Sequence, residues 1–313
     1  MLNIWYNNPM DIKSYRKSGI SGTIIIPSDK SLSHRAVMLS SIAKGKSIIK
    51  NFSKAEDPCS TLNICKNLGI DYYFANENLV INSNGKLSAP KNILNCCNSG
   101  TTMRLMTGIL AGQNFKTILT GDESLSKRPM QRIITPLTMM GAEIISNNGN
   151  APLKINGAHL TGIEYKTPIP SAQVKSAILL AGLFADGKTT VIEDYLSRNH
   201  TELMLEFMGA NIQTFENKTV VEKSELSSKI IDISGDISSA AYFIAAAILL
   251  KKSDLILKNV GINPTFLFLK FSLLIIIENI YFFIVCCGVN FFKLIGQRRH
   301  RALNFNYSLR FVK

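Results

Sequence analysis

Residues 67–74 read NLGIDYYF, and the phrase returns as MMGAEIIS at 139–146 and as FMGANIQTF at 207–215. Each copy joins the end of an apolar helix to a glycine and then to strand-forming residues. Glycine just past a helix is the expected stop, because it enters the left-handed region with no Cβ to clash. The three are Gly69, Gly141 and Gly209, spaced 72 and 68 residues apart. A period near 70 residues is that of a repeated α/β unit.

Working outward, a second element recurs between these copies. SHRAVMLSSIAKGKSII (33–49), TTMRLMTGILAGQNFKTIL (101–119), AQVKSAILLAGLFADGKTTVI (172–192) and SSAAYFIAAAILLKKSDLIL (238–257) each open on small polar residues. An apolar helical run, a break and a strand follow. The breaks are expected at Gly45, Gly112 and Gly187, and at residues 251–253 in the fourth copy. Three complete units are visible and a fourth begins.

The fourth copy of the second helix is due near residues 277–281, which read IENIY. From residue 266 the chain becomes FLFLKFSLLIIIENIYFFIVCCGVNFFKLIG, closed by QRRHR. Three readings compete: a membrane span with a basic flank, a divergent part of the fold, and out-of-frame translation of an AT-rich message. Lys270, Glu278 and Asn279 inside the run argue against the span, and out-of-frame translation is preferred.

The 313 residues are 46% hydrophobic and 18% charged, a globular composition. The formal charge of +13 invites a polyanionic partner, yet a net +6 lies after Asn263 and no nucleic-acid motif accompanies it. The six cysteines include the adjacent pairs Cys96–Cys97 and Cys286–Cys287, and show neither CxxC nor Cys/His spacing. Reduced thiols, no metal site and a cytoplasmic location are expected. No secretory signal is visible at the N-terminus.

Chemistry gathers where the first helices begin. In PSDKSLSHRA (27–36) a strand, TIIIP at 23–27, runs into Lys30, Ser31 and Arg35. Helix N-termini attract anions, and arginine adds a fork suited to phosphate or carboxylate. NCCNSGTTMR (95–104) places Gly100 before Thr101, Thr102 and Arg104, and PSAQ (170–173) offers Ser171 as a cap with Gln173 behind it. The loop GDESLSKRP (121–129) carries Arg128. Approximate threefold symmetry would bring three helix N-termini to one place able to bind more than one anionic group. Each piece alone has a plainer reading: Ser171 and Thr101 as ordinary caps, Arg128 as a solvated charge, His34 and His200 as partly exposed polar residues. Neither GxxxxGK[ST] nor GxGxxG occurs.

DKSLSHRA, NSGTTMR, GDESLSKRPM, SAQVKSAILLAG, Ser197-Arg198 and GDISSAAYF resemble, in order and spacing, the 5-enolpyruvylshikimate-3-phosphate synthase family over residues 19–265. The resemblance implies an α/β fold of repeated units in the enolpyruvyl transferase inside-out barrel arrangement, helices inside and sheets outside. The first domain would be complete over residues 23–234. Residues 1–22 and 235–265 would be the remnant of a second domain, and 266–313 an unrelated tail. Ser28, where the family usually has glycine, and Ala172, where many members have serine, are departures.

What the resemblance implies is transfer of enolpyruvyl from phosphoenolpyruvate to the 5-hydroxyl of shikimate 3-phosphate, on the route to chorismate and aromatic amino acids, with no cofactor. Lys30 would touch both substrates. Ser31, Arg35, Ser171, Gln173 and Ser197 would hold shikimate 3-phosphate, and Gly100 and Arg128 phosphoenolpyruvate. The family's catalytic carboxylates belong to second-domain positions that this chain does not match, so it is expected to be an inactive monomer. The alternatives are a non-catalytic remnant that only binds shikimate 3-phosphate, and a membrane-tethered protein anchored by residues 266–292. A sister transferase acting on a UDP-sugar has asparagine after the lysine, where this chain has Ser31.

Overall fold

The computed structural model describes residues 17–250 and 252–263, and the backbone of a strand at 291–295. In chain order β1 (Ser21–Ile25) comes first, and the first unit then comprises α1 (Lys30–Ile42), β2 (Ala43–Lys50), α2 (Glu56–Asn67), β3 (Asp71–Ala75) and β4 (Asn78–Asn84). The second has β5 (Leu94–Asn95), α3 (Gly100–Ala111), β6 (Lys116–Thr120), the short α4 (Glu123–Ser126), α5 (Gln131–Met139), β7 (Glu143–Asn147) and β8 (Asn150–Asn156). The third has β9 (Glu164–Lys166), α6 (Ala172–Gly182), β10 (Thr189–Ile192), α7 (His200–Phe207), β11 (Ile212–Phe215) and β12 (Lys218–Val221). There follow β13 (Leu226–Ser227), β14 (Ile230–Asp232), α8 (Ile237–Leu249), β15 (Asp254–Lys258) and β16 (Phe291–Ile295).

The repeat glycines end α2, α5 and α7 in one way. Gly69, Gly141 and Gly209 have φ of +87°, +99° and +89°. In each case the glycine N–H bonds back to the carbonyl three residues earlier (Lys66, Thr138, Glu206). The next N–H bonds to the carbonyl five residues earlier (Cys65, Leu137, Leu205). This is the Schellman pairing, which satisfies carbonyls that the helix end would otherwise strand. Gly45 behaves differently: α1 passes into β2 with no loop, and Gly45 lies inside that strand at φ +111°. The expected break there is thus replaced by an irregular strand residue.

Each unit makes one sheet. In the second, β5 runs parallel to β6, and β8 and β7 follow antiparallel; in the third, β9, β10, β12 and β11 repeat that order. The first unit has β2, β4 and β3, but the parallel partners of β2 are β13 and β14, from beyond the third unit. The segment just after the third unit therefore closes a ring of three sheets.

Inside the ring stand α1, α3 and α6, buried from Ser33 to Ile42, at every residue but Thr101, and from Val174 to Gly182 respectively. A helix buried on all sides is a core helix. Close approach is required: a Cβ on Gly108 would stand 2.2 Å from the Ala177 carbonyl oxygen. One continuous apolar cluster joins all three units.

A smaller cluster holds Ile26, Ala240, Ile244, Ala247, Ile248, Leu255, Leu257 and Val260. Here β1 lies parallel to β15, with β16 antiparallel on its far side. The expected boundary at residue 23 thus falls inside β1, which packs with the residues after 235. Two adjacent crossings join the clusters, with Asp29 N–H bonded to Ser234 O and Asp236 N–H to Pro27 O, both at 2.8 Å. Among the described residues no helix is long and apolar enough to cross a membrane. The expected second-domain remnant at residues 1–16 and the unrelated tail at 266–313, with its membrane-span alternative, lie outside the described residues except at 291–295.

Candidate functional site

The three inner helices begin on one side of the ring. Asp29 caps α1, accepting from Leu32 N–H at 2.8 Å. Ser99 caps α3 at 3.1 Å, so Gly100 and not Thr101 opens that helix. Ser171 caps α6, as expected, at 3.4 Å.

Between these N-termini lies a cavity of about 400 Å³. Ser31 and Arg35 of α1, Thr101 of α3, and Ser171 with Ala172 and Gln173 of α6 form three sides. Pro170, the loop Leu196–Ser197–Arg198 and His200 complete the wall. Five of the eight residues expected at substrates line it: Ser31, Arg35, Ser171, Gln173 and Ser197. Arg198 and His200 were missed as wall residues; the only sequence signal for Arg198 was its place beside Ser197.

Arg35 differs from its expected role as a freely offered fork. It is buried, with Nε donating to Thr201 Oγ1 at 2.7 Å, Nη2 to Ser176 Oγ at 2.9 Å and Nη1 to the Ser31 carbonyl at 3.0 Å. A guanidinium has five N–H donors, so this framework uses three of them. Burial pushes its pKa down to about 10, opposed chiefly by the charge of Glu202, and it stays a cation at neutral pH.

His34 and His200 are also buried, contrary to the partly exposed reading. His34 Nδ1 meets Thr61 Oγ1 at 2.7 Å, and burial lowers its pKa to about 3. His200 falls to about 4 through burial and the neighbouring Arg35 and Arg198. The inner helix α1 leaves no solvated face on which His34 could sit, and His200, the first residue of α7, is walled in beside the cavity.

The other three expected residues lie off the cavity wall. Lys30 Nζ pairs with Asp57 Oδ2 at 2.7 Å and is 48% exposed. Gly100 stands against two guanidinia: a Cβ there would be 2.8 Å from Arg104 Nη1 and 3.4 Å from Arg128 Nη1. Arg128 donates to the carbonyl and side-chain oxygens of Asn98. Arg104 Nη1 donates to Gln173 Oε1 at 2.6 Å, while Gln173 Nε2 donates to Thr101 Oγ1 at 3.0 Å. Gln173 thus links the arginine cluster to the cavity. No group of His, Cys, Asp and Glu able to hold a metal ion occurs among the described residues.

The family model described as EPSP synthase (3-phosphoshikimate 1-carboxyvinyltransferase) matches residues 15–280. The chain belongs to the EPSP synthase family. The family match runs past residue 265, where the motif likeness ends. A curated 3-phosphoshikimate 1-carboxyvinyltransferase of Geotalea uraniireducens (strain Rf4) is 50% identical over 250 residues, 79% of this chain and 58% of that protein. The one from Thermoanaerobacter sp. (strain X514) is 52% identical over 259 residues, 82% of this chain and 61% of that protein. Among solved structures, EPSP synthase from Acinetobacter baumannii superposes with a TM-score of 0.73 at 42% identity, covering 79% of this chain and 57% of that one. The α/β fold is that of EPSP synthase. The chain spans about three fifths of the length of the curated relatives it matches.

Proposed function

We propose that the cavity binds shikimate 3-phosphate and that the chain represents the substrate-binding part of a 3-phosphoshikimate 1-carboxyvinyltransferase, the three-unit ring from α1 to β14 forming its complete domain. The observation that carries this is the cavity wall: it has guanidinium, hydroxyl and amide groups from three helix N-termini and no carboxylate. Such a wall suits a phosphorylated, polyhydroxylated ligand. Ser31, Arg35, Ser171, Gln173 and Ser197 contact shikimate 3-phosphate, Lys30 reaches both substrates, and Gly100 with Arg128 receives phosphoenolpyruvate, with Arg104 between the two sites.

The reaction in which this part serves is transfer of enolpyruvyl to the 5-hydroxyl with release of phosphate. It needs an acid for the methylene carbon and a base for the hydroxyl. The one histidine on the wall, His200, has its pKa lowered to about 4 and is a poor match for either task at neutral pH. The described wall therefore supplies recognition and orientation.

Calorimetric titration of the full chain with shikimate 3-phosphate and with shikimate tests the reading. The phosphorylated ligand should bind at least about tenfold tighter, the worth of one charged hydrogen bond. Equal affinity for the two ligands overturns it.

A further inference from the structure

Lys175 lies one half-turn beyond Gln173 on α6 and is only 2% exposed. Its Nζ reaches Glu193 Oε2 at 2.6 Å, Glu202 Oε1 at 2.7 Å and the Ser197 carbonyl at 3.4 Å, three acceptors for three ammonium protons. Glu193 Oε2 also accepts the Ser197 N–H at 3.3 Å. Both backbone polar groups of Ser197 are thus held by the same buried ion pair. The Ser197 hydroxyl, in contrast, has no hydrogen-bond partner among the described residues, although Ser197 is a wall residue of the cavity.

Three charges out of water are costly, and well-packed apolar residues often serve stability as well or better. This cluster is distinguished by what it is attached to. Glu193 follows the end of β10, Glu202 lies on α7 beside Thr201, the acceptor for Arg35 Nε, and Lys175 joins both to α6. With Arg35 included, two cations balance two carboxylates, and Arg198 adds a further positive charge on the wall.

We propose that Lys175, Glu193 and Glu202 are positioning residues for the cavity: they fix the Ser197 peptide so that its unmet hydroxyl serves a phosphate-bearing ligand. This rests on the phosphate reading of the cavity given above. None of the three touches the ligand; they act through Ser197. If they were packing alone, their removal would lower stability and leave the affinity of the folded protein unchanged.

The test uses the full chain and two readouts. The first is amide exchange at Ser197 without ligand, with Gly209 as the internal reference. The second is calorimetric titration with shikimate 3-phosphate. Lys175→Met should speed Ser197 exchange about tenfold or more relative to Gly209, since local opening follows the lost hydrogen bonds. It should also weaken binding about five- to tenfold, as should Ser197→Ala, and the double variant should be no weaker than Lys175→Met. Should Lys175→Met not fold, Glu193→Gln keeps the side-chain shape and the Lys175–Glu202 pair and should shift both readouts in the same direction. Unchanged Ser197 exchange, or losses that multiply in the double variant, overturns the positioning role whether or not ligand binds. A wild-type chain that binds no shikimate 3-phosphate overturns the phosphate reading instead.

Discussion

Arg35 Nε donates to Thr201 Oγ1 at 2.7 Å, a bond that ties α1 to α7 across 166 residues of chain. The Thr201 hydroxyl also meets Ser176 Oγ at 2.6 Å, and Ser176 accepts from Arg35 Nη2. One guanidinium therefore stands on a ledge of two hydroxyls from the third unit while it lines the cavity. The contact between the first and third units and the cavity wall share a side chain, so they cannot be altered independently at this position.

Replacing Arg35 with lysine keeps the charge and loses the planar fork. A single ammonium cannot reproduce the three directions to Thr201, Ser176 and the Ser31 carbonyl. Arg35→Lys should therefore lower stability by about 1.5 to 3 kcal/mol, the range for hydrogen bonds to charged groups. Thr201→Val, which removes one acceptor and strands a buried charged donor, should also cost about 1.5 to 3 kcal/mol. Urea unfolding measures both, and a lysine variant as stable as the wild type would sink the claim that the fork holds the units together.

Acid should weaken the fold through His34. Its imidazole is neutral in the folded protein, with the pKa lowered from 6.5 to about 3 by burial. Between those values the unfolded chain takes up a proton that the folded chain refuses, so stability falls as pH falls. By pH 5 the loss from this one group is about 2 kcal/mol. His34→Gln keeps a hydrogen-bonding side chain and removes the titration. Urea unfolding at pH 7 and pH 5 should show the variant losing about 2 kcal/mol less than the wild type, and identical losses would dismiss His34 as the cause.

Some of this was legible in the sequence because it is local. A glycine that must take positive φ after a helix is decided within six residues, and Gly69, Gly141 and Gly209 were read from that alone. The hydroxyl, amide and arginine residues at Ser31, Arg35, Ser171, Gln173 and Ser197 were legible as motifs, although only the ring brings them to one wall. The closing strands were not legible: β13 and β14 have two and three residues, and their extended form comes from pairing with β2. Gly45 was misread because AKGKS looks like a turn, whereas pairing with β4 keeps it in a strand. Burial of His34 and Arg35 was hidden for a related reason, since a helix enclosed by neighbouring helices carries no amphipathic pattern to separate its inner face from its outer one.

Gly209 gives a clean measure of the repeat's helix stop. Its φ is +89° and the nearest heavy atom to a Cβ there is Ser227 Oγ at 3.9 Å, so there is room for a methyl group. The backbone alone sets the cost of Gly209→Ala, about 1 to 2 kcal/mol for an L-residue held in the left-handed region. Urea unfolding of that variant tests it. No change in midpoint would mean that α7 can end another way.

Gly100→Ala probes the link between the arginine cluster and the cavity. The added methyl would stand 2.8 Å from Arg104 Nη1, and Arg104 is 5% exposed, so the guanidinium has little room to retreat. Moving it breaks its 2.6 Å bond to Gln173 Oε1 and leaves the amide held by Thr101 alone. Alanine is the better helix former by up to about 1 kcal/mol, less at a first helical position such as this. The lost charge-assisted bond costs about 1.5 to 3 kcal/mol, so the net effect should be a destabilisation of about 1 kcal/mol. In a Gln173→Ala background the bond is already gone, and Gly100→Ala should then cost much less or stabilise slightly. Urea unfolding of the two single variants and the double variant gives the coupling directly. Equal effects of Gly100→Ala in both backgrounds would show that Arg104 shifts without disturbing Gln173, and the arginine cluster and the cavity would then be independent sites.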